Sequence, residues 1–444
     1  SSKMRLEFDE FEDVTNFSSV SLMHSFKPHS YNNGSDTMSE PNNNMAPEAL
    51  TYLRYDRLEV YGRKEEKKLL KDCIKRMTPD EDGEPCLRRR SDIVFIRGVS
   101  GCGKTTLSEC LAKYVKKSKG LFVRGVFDMN VKGEPYSGVT AACRRICGEL
   151  LYMKTTDRER FTTILKQMTE VLGSEIGLLI DLIPDLHDVF CGEGDEFSAE
   201  LPLMADSKVR LHDVFRRFIG LISSNLSPFV MVLDDLQRAD KESLELIHSV
   251  ISHLDKVGLV LIGIYRSEEV VDESHILSKF VRGVKDVAEE KKDAGSLNIT
   301  DIELGNFSLD HLKEILMILL NMDDGEEITR LATICHKRTL GNMFYFDCFV
   351  KMLKREMLLQ FDVGSLQWHW DEELLLSSTA ATQNVVDLMR NRLLDLPQGT
   401  QRQLSAAACL GSSFEPEIVA IVWKKISGSL SDVGNVDDCL ALSE

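Results

Sequence analysis

Short, wholly apolar runs alternate with helical repeats through the middle of the chain. Ile93-Val94-Phe95-Ile96 is the first such run, and a glycine-rich turn and a helical pattern from Lys104 to Lys116 follow it at once. Leu121 to Phe127, Phe229 to Leu233 and Leu259 to Ile264 repeat the style, and Asn298 to Leu304 reads as a fifth strand. Strands apolar on both faces suit a parallel sheet covered by helices on either side. The alternation of strand and helix therefore predicts a doubly wound α/β fold. Before the first strand, Leu69, Leu70, Cys73, Ile74 and Met77 fall at helical spacing. Between the second and third strands, Val209, Leu211, Val214, Phe215, Phe218 and Ile222 are read as one helix face behind an N-cap at Ser207.

The flanks read differently. Residues 1–52 are rich in Ser and Asn, with few aliphatic positions, and are expected to form a disordered N-terminal arm. The α/β pattern fills 53–304, and helices are expected over 305–356, the first of them starting at Ser308. Leu359, Phe361, Leu366, Trp368 and Trp370 alternate around Asp362-Val363-Gly364-Ser365, a hairpin within 357–380. Helical segments ending near Leu394, Leu410 and Lys424 follow in 381–444. A first residue of Ser1 and a pattern still running at Glu444 read as a piece of a longer chain.

Composition narrows the class. With 444 residues, 43% of them hydrophobic and 28% charged, the chain can bury several cores. A net charge of −17 disfavours nucleic acid and anionic membrane surfaces as partners. Eleven cysteines without a CxxC pair or a zinc-like Cys/His cluster read as reduced, mostly core residues, with Cys143 and Cys147 on one helical face. No apolar run is long enough to span a bilayer, and no basic-then-apolar leader opens the chain. A cytoplasmic or nuclear location is expected.

Gly98-Val99-Ser100-Gly101-Cys102-Gly103-Lys104-Thr105 matches GxxxxGK[ST] between a strand and a helix, with Thr106 next in the helix. Glycines allow the backbone to wrap a phosphate so that successive N–H groups point inward, and the helix N-terminus adds a favourable dipole. Lys104 is placed to reach the β- and γ-phosphates and Thr105 to offer a hydroxyl to Mg²⁺. Downstream, Phe229-Val230-Met231-Val232-Leu233 ends in Asp234-Asp235. Asp234 is the expected metal-side acid, and Asp235 the expected base that orients an attacking water. Arg266, at the end of the next apolar strand, is either a sensor of the γ-phosphate or a solvated strand-end arginine.

Taken together these boxes resemble the STAND class of signalling P-loop ATPases, AAA+-related modules attached to regulatory kinases, cyclases and transcriptional regulators. The resemblance rests on Gly62-Arg63-Lys64-Glu65-Glu66, Phe127-Asp128 with Pro135-Tyr136, Asp234-Asp235-Leu236-Gln237-Arg238-Ala239-Asp240, Tyr265-Arg266 and Thr339-Leu340-Gly341-Asn342-Met343, in that order. Arg238 stands where the class has an aromatic residue, and Met343 where it has proline. The resemblance implies a three-layer P-loop NTPase core at 53–304 with sheet order 5-1-4-3-2, a helical lid at 305–356, a hairpin linker and a partial winged-helix-like domain at 381–444. It also implies ATP or ADP with Mg²⁺ as cofactors, slow hydrolysis, and Tyr61, Gly62 and Arg63 beside the base or ribose. Protein effector or sensor domains, in cis or trans, are the implied partners, and a nucleotide-dependent homo-oligomer is a further option. Two other functions stay open: an origin-recognition-like DNA-binding ATPase, and an ADP-locked scaffold. Against the first stands the acidic end of the chain, with Glu415, Glu417, Asp432, Asp437 and Asp438. The basic run Arg88-Arg89-Arg90 and the helical His248 and His253 are read as solvated surface, and Trp368 and Trp370 as packing residues.

Overall fold

A computed structural model of the chain describes residues 53–55, 58, 61–77, 91–128, 135–190, 207–253, 258–291 and 297–380, together with 390, 393–394, 396–409, 418 and 421–425. The expected N-terminal arm, the Arg88 to Arg90 run, the acidic chain end and most of the expected winged-helix region lie outside these residues. The elements run α1 (Lys64–Lys75), β1 (Ser91–Gly98), α2 (Lys104–Lys117), β2 (Leu121–Val126), α3 (Ser137–Thr156), α4 (Arg158–Leu172), α5 (Ile176–Leu182), α6 (Leu186–Phe190), α7 (Ser207–Asn225), β3 (Phe229–Asp234), α8 (Lys241–Ile251), β4 (Leu259–Arg266), α9 (Ile276–Glu290) and β5 (Leu297–Leu304). Then follow α10 (Leu309–Leu320), α11 (Glu326–Thr339), α12 (Met343–Arg355), β6 (Gln360–Asp362), β7 (Gln367–His369), α13 (Glu372–Ala380) and α14 (Gln398–Ala408). Two compact units result. Among the described residues, one unit holds those of Arg57–Asn321 with Leu340–Phe344, and the other holds Met322–Thr339 and those of Tyr345–Glu444 with Leu53–Tyr55.

The first unit is built on a five-stranded parallel sheet in the order β2-β3-β4-β1-β5, as the resemblance implied. Side chains along a strand alternate between faces, so each apolar run supplies both. From β1, Ile93 and Phe95 join Met231, Leu233, Leu259 and Leu261 in a core under α3, α4, α7 and α8. Val94 and Ile96 point the other way and join Val232 and Ile262 under α1 and α2, through Leu70, Ile74, Leu107 and Leu111. This is a three-layer arrangement. In the edge strand β5, exposed Asp301 and Glu303 alternate with buried Ile302 and Leu304.

One expectation needs correction. Val214, Phe215, Phe218 and Ile222 of α7 are buried as predicted, but Val209 is 71% exposed. Val209 precedes Val214 by five residues, which at about 100° per residue turns it to the opposite side of the helix. The cysteine reading fares better: Cys143 and Cys147 are buried together on α3, and burial pushes the Cys147 thiol up to about 12.

In the second unit, α11 and α12 bury Ile328, Leu331, Cys335, Phe346, Phe349 and Leu353. The predicted hairpin forms as β6 and β7, with Trp368 edge-on to Phe361 at a centroid distance of 5.5 Å. Among the described residues no helix is long and apolar enough to cross a membrane.

Candidate functional site

The carboxyl ends of β1, β3 and β4 converge, and at β1 the strand order reverses, with β4 on one side and β5 on the other. Crevices at such switch points are where open α/β sheets bind ligands. β1 delivers Gly98 and the loop to Gly103, and Lys104 and Thr105 open α2. The first N–H groups of a helix have no acceptor within it, so this turn is left with donors facing outward. A methyl placed on Gly103 would meet nothing within 4 Å, so the loop fronts open space.

Lys104 is folded back onto its own loop. Its Nζ donates to the carbonyls of Gly98 and Val99, both at 2.8 Å. Ser100 donates its N–H to Glu268 Oε1 at 2.7 Å. Cys102 is fully buried beneath the loop, and burial raises its thiol pKa. Thr105 donates its hydroxyl to Asp234 Oδ2 at 2.8 Å, while Thr106 is half-buried one position on. Strand β3 and the first turn of α2 thus bring together the two side chains predicted to hold Mg²⁺. One carboxylate plus one hydroxyl fits a hard cation that keeps several waters and takes its remaining ligands from phosphate.

Asp235 sits one residue beyond β3 in the left-handed region, at φ 54° and ψ 42°. Its Oδ1 accepts from Gln237 Nε2 at 2.9 Å and from Arg266 Nε at 3.3 Å. Arg266 is also 3.1 Å from Glu269, and its backbone N–H donates to Gln237 Oε1. The predicted base and the predicted sensor are therefore paired with each other.

The opening box is spread over the underside of the loop. Arg63 donates to the carbonyls of Cys102 and Gly305, pairs with Glu66 and lies 4.4 Å over the Phe307 ring. Tyr61 donates to Glu314 at 2.5 Å, and Gly62 packs against Phe307 and His311. Arg63 is a strut between the phosphate loop and the start of the helices that follow β5.

Three further groups hold the site together: Gln237 and Asn342 belong to the boxes quoted above, and Arg124 lies outside them. Arg124, inside β2, donates to Asp234 Oδ2 at 2.6 Å and to Glu109 at 2.9 Å. Its only sequence signal is a charge within an otherwise apolar strand. Gln237, 7% exposed, ties Asp235 to Arg266. Asn342 donates to the Ser100 carbonyl at 2.7 Å, and Phe344 N–H donates to the Gly101 carbonyl at 3.1 Å, so segment 340–344 clasps the outer side of the loop. Gly101 leaves room for it: a Cβ there would lie 2.6 Å from Asn342 Oδ1 and 2.8 Å from Phe344 Cβ, at a φ of +77°. Gly101→Ala is expected to cost about 2 kcal/mol, from left-handed strain plus that overlap. An unchanged thermal midpoint would show that the clasp is dispensable.

Residues 59–262 match the family described as AAA ATPase domain. Hybrid signal transduction histidine kinase G of Dictyostelium discoideum is 24% identical over 430 residues, covering 82% of this chain and 12% of the relative. Peroxide stress-activated histidine kinase mak2 of Schizosaccharomyces pombe is 23% identical over 352 residues, covering 74% of this chain and 14% of the relative. The chain thus spans 12–14% of the length of these curated relatives. Among solved structures, the Aeropyrum pernix ORC2 protein in its ADPNP and ADP complexes aligns at 13% identity and a TM-score of 0.42, over 87% of this chain and 86% of its own. A STAND protein with a tetratricopeptide repeat sensor from Pyrococcus horikoshii aligns at 16% identity and a TM-score of 0.29, over 66% of this chain and 30% of its own. Residues 59–262 thus match an AAA ATPase domain, and the phosphate loop at Gly98–Thr105 with Asp234 at the end of β3 has the geometry of a P-loop site, in keeping with the STAND class that the chain's boxes resemble.

Proposed function

We propose that the chain is an ATP-binding, slowly hydrolysing signalling switch in which nucleotide state sets the arrangement of domains and the output of an effector. The observation that carries the reading is the 2.8 Å bond between Thr105 and Asp234, which joins the phosphate loop to the strand-end acid. Lys104 gives up its two loop carbonyls and turns to the phosphates. Thr105 and Asp234 hold the cation, Asp235 orients the water and Arg266 reads the γ-phosphate. The bound cation supplies charge neutralisation at the transferred phosphoryl group. Slow turnover follows from Asp235 being held by Gln237 and Arg266, because the base acts only when that pairing loosens.

Switching is then a population shift: contacts from Lys104 and Arg266 that exist only with ATP bound favour one arrangement over the other. Both curated relatives are histidine kinases, which supports a protein effector or sensor, in cis or trans, over nucleic acid. The net charge of −17 points the same way. Lys104→Ala is expected to weaken Mg·ATP binding by about 100-fold, ~2.7 kcal/mol. Equal affinity in the wild type and the variant would overturn the assignment, and absence of multi-turnover phosphate release by the wild type would leave a nucleotide-locked scaffold in its place.

A further inference from the structure

Strand β2 reads Leu-Phe-Val-Arg-Gly-Val, and Arg124 is its one charged residue. The side chain is 15% exposed and divides its fork between two carboxylates on different elements. Nη1 donates to Glu109 Oε1 at 2.9 Å on α2, and Nη2 donates to Asp234 Oδ2 at 2.6 Å at the end of β3. Asp234 is itself only 6% exposed, and its carboxylate is heavily engaged. Oδ2 accepts from Thr105 as well as from Arg124, and Oδ1 accepts the N–H of Asp235 at 2.9 Å.

A guanidinium needed only to neutralise one buried acid would use its planar fork on that acid, which is the stronger arrangement. Here the fork is split, so Arg124 can lose one partner and keep the other. The split has an electrostatic consequence. Without a cation, Asp234 would set a full negative charge beside the phosphates of a bound nucleotide, and Arg124 cancels much of it. When a cation is present, Asp234 is wanted by it, and Glu109 offers Arg124 a place that costs no unpaired charge.

We propose that Arg124 is a positioning residue that stands in for the divalent cation at Asp234, alternating between Asp234 and Glu109, so that the site can retain nucleotide with or without Mg²⁺. The inference rests on the ATPase reading above and deepens it. A nucleotide switch of this kind keeps its ligand when the cation leaves.

The readout is the magnesium coupling of binding: the dissociation constant for ATP in EDTA divided by that in Mg²⁺, measured by calorimetry on the full chain. Arg124→Gln removes the internal positive charge, so Asp234 repels ATP in EDTA and welcomes the cation more strongly. The coupling ratio is expected to rise at least 10-fold over the wild type. Glu109→Gln acts in the opposite sense, because Arg124 then belongs to Asp234 alone, and the ratio is expected to fall about threefold. A merely structural role for Arg124 would weaken both affinities together and leave the ratio unmoved. An unchanged ratio in folded Arg124→Gln, or a ratio moving in the same direction in both variants, overturns the proposal. If Arg124→Gln fails to fold, Glu109→Gln decides alone, and a ratio that does not fall overturns it. Wild-type protein that binds ATP in neither condition would instead overturn the ATPase reading itself.

Discussion

Asp235→Asn is expected to lower ATP turnover by about 10³-fold while leaving Mg·ATP affinity within a factor of three. Asparagine matches aspartate in size and tolerates the left-handed backbone, at φ 54° and ψ 42°, that follows β3. Its Oδ1 can still accept from Gln237 Nε2. What it cannot do is carry the negative charge that draws a proton from water. The substitution therefore separates chemistry from binding, because the phosphate loop, Thr105 and Asp234 are unaltered by it. Single-turnover phosphate release, set beside an ATP titration of the same sample, measures both quantities. Turnover equal to that of the wild type would place the base elsewhere. A parallel loss of affinity would mean that Asp235 helps shape the pocket rather than the reaction.

The parts of this site that could be read from the sequence are those whose signal is local. Strand, glycine loop and helix follow one another within residues 91–117, and the loop's chemistry is written in that order. Asp234 and Asp235 were legible because they end an apolar run. Arg124 was not, although its position is also local. Its partner lies 110 residues away, and only the pairing of β2 beside β3, with Arg124 across from Val232, brings the guanidinium to Asp234. Gln237 and Asn342 were visible as letters of recognisable boxes, yet their work depends on which carbonyl or carboxylate the fold brings within 3 Å. Asn342 reaches Ser100 across 242 residues. Val209 differs for another reason: it is apolar and near the helix start, but 3.6 residues per turn place it off the face that Val214, Phe218 and Ile222 share.

The dependence of Arg124 on packing leads to the largest expected stability effect. Gly125, its neighbour on β2, pairs with Leu233 and faces the start of α3 so closely that an added Cβ would lie 1.9 Å from the Gly138 carbonyl oxygen and 3.1 Å from Ala142 N. Both obstacles are backbone, so no rotamer change relieves them. Gly138 is confined in turn, since a Cβ there would meet the Phe127 ring at 2.7 Å. Helix and strand thus approach through two glycines, and Gly125→Ala must push α3 off the sheet. A loss of about 4 kcal/mol is expected, at the upper end for a single overpacked site. Gly148, on the same helix, has nothing within 4 Å of its Cβ position and faces solvent. Gly148→Ala is expected to stabilise by about 0.8 kcal/mol through helix propensity alone. The two substitutions add the same methyl to the same helix–strand unit, so a urea titration of both measures packing against propensity directly. Equal and small shifts in midpoint would show that α3 is free to move away from β2, and that the position of Arg124 is set by its two carboxylates rather than by the glycine contact behind it.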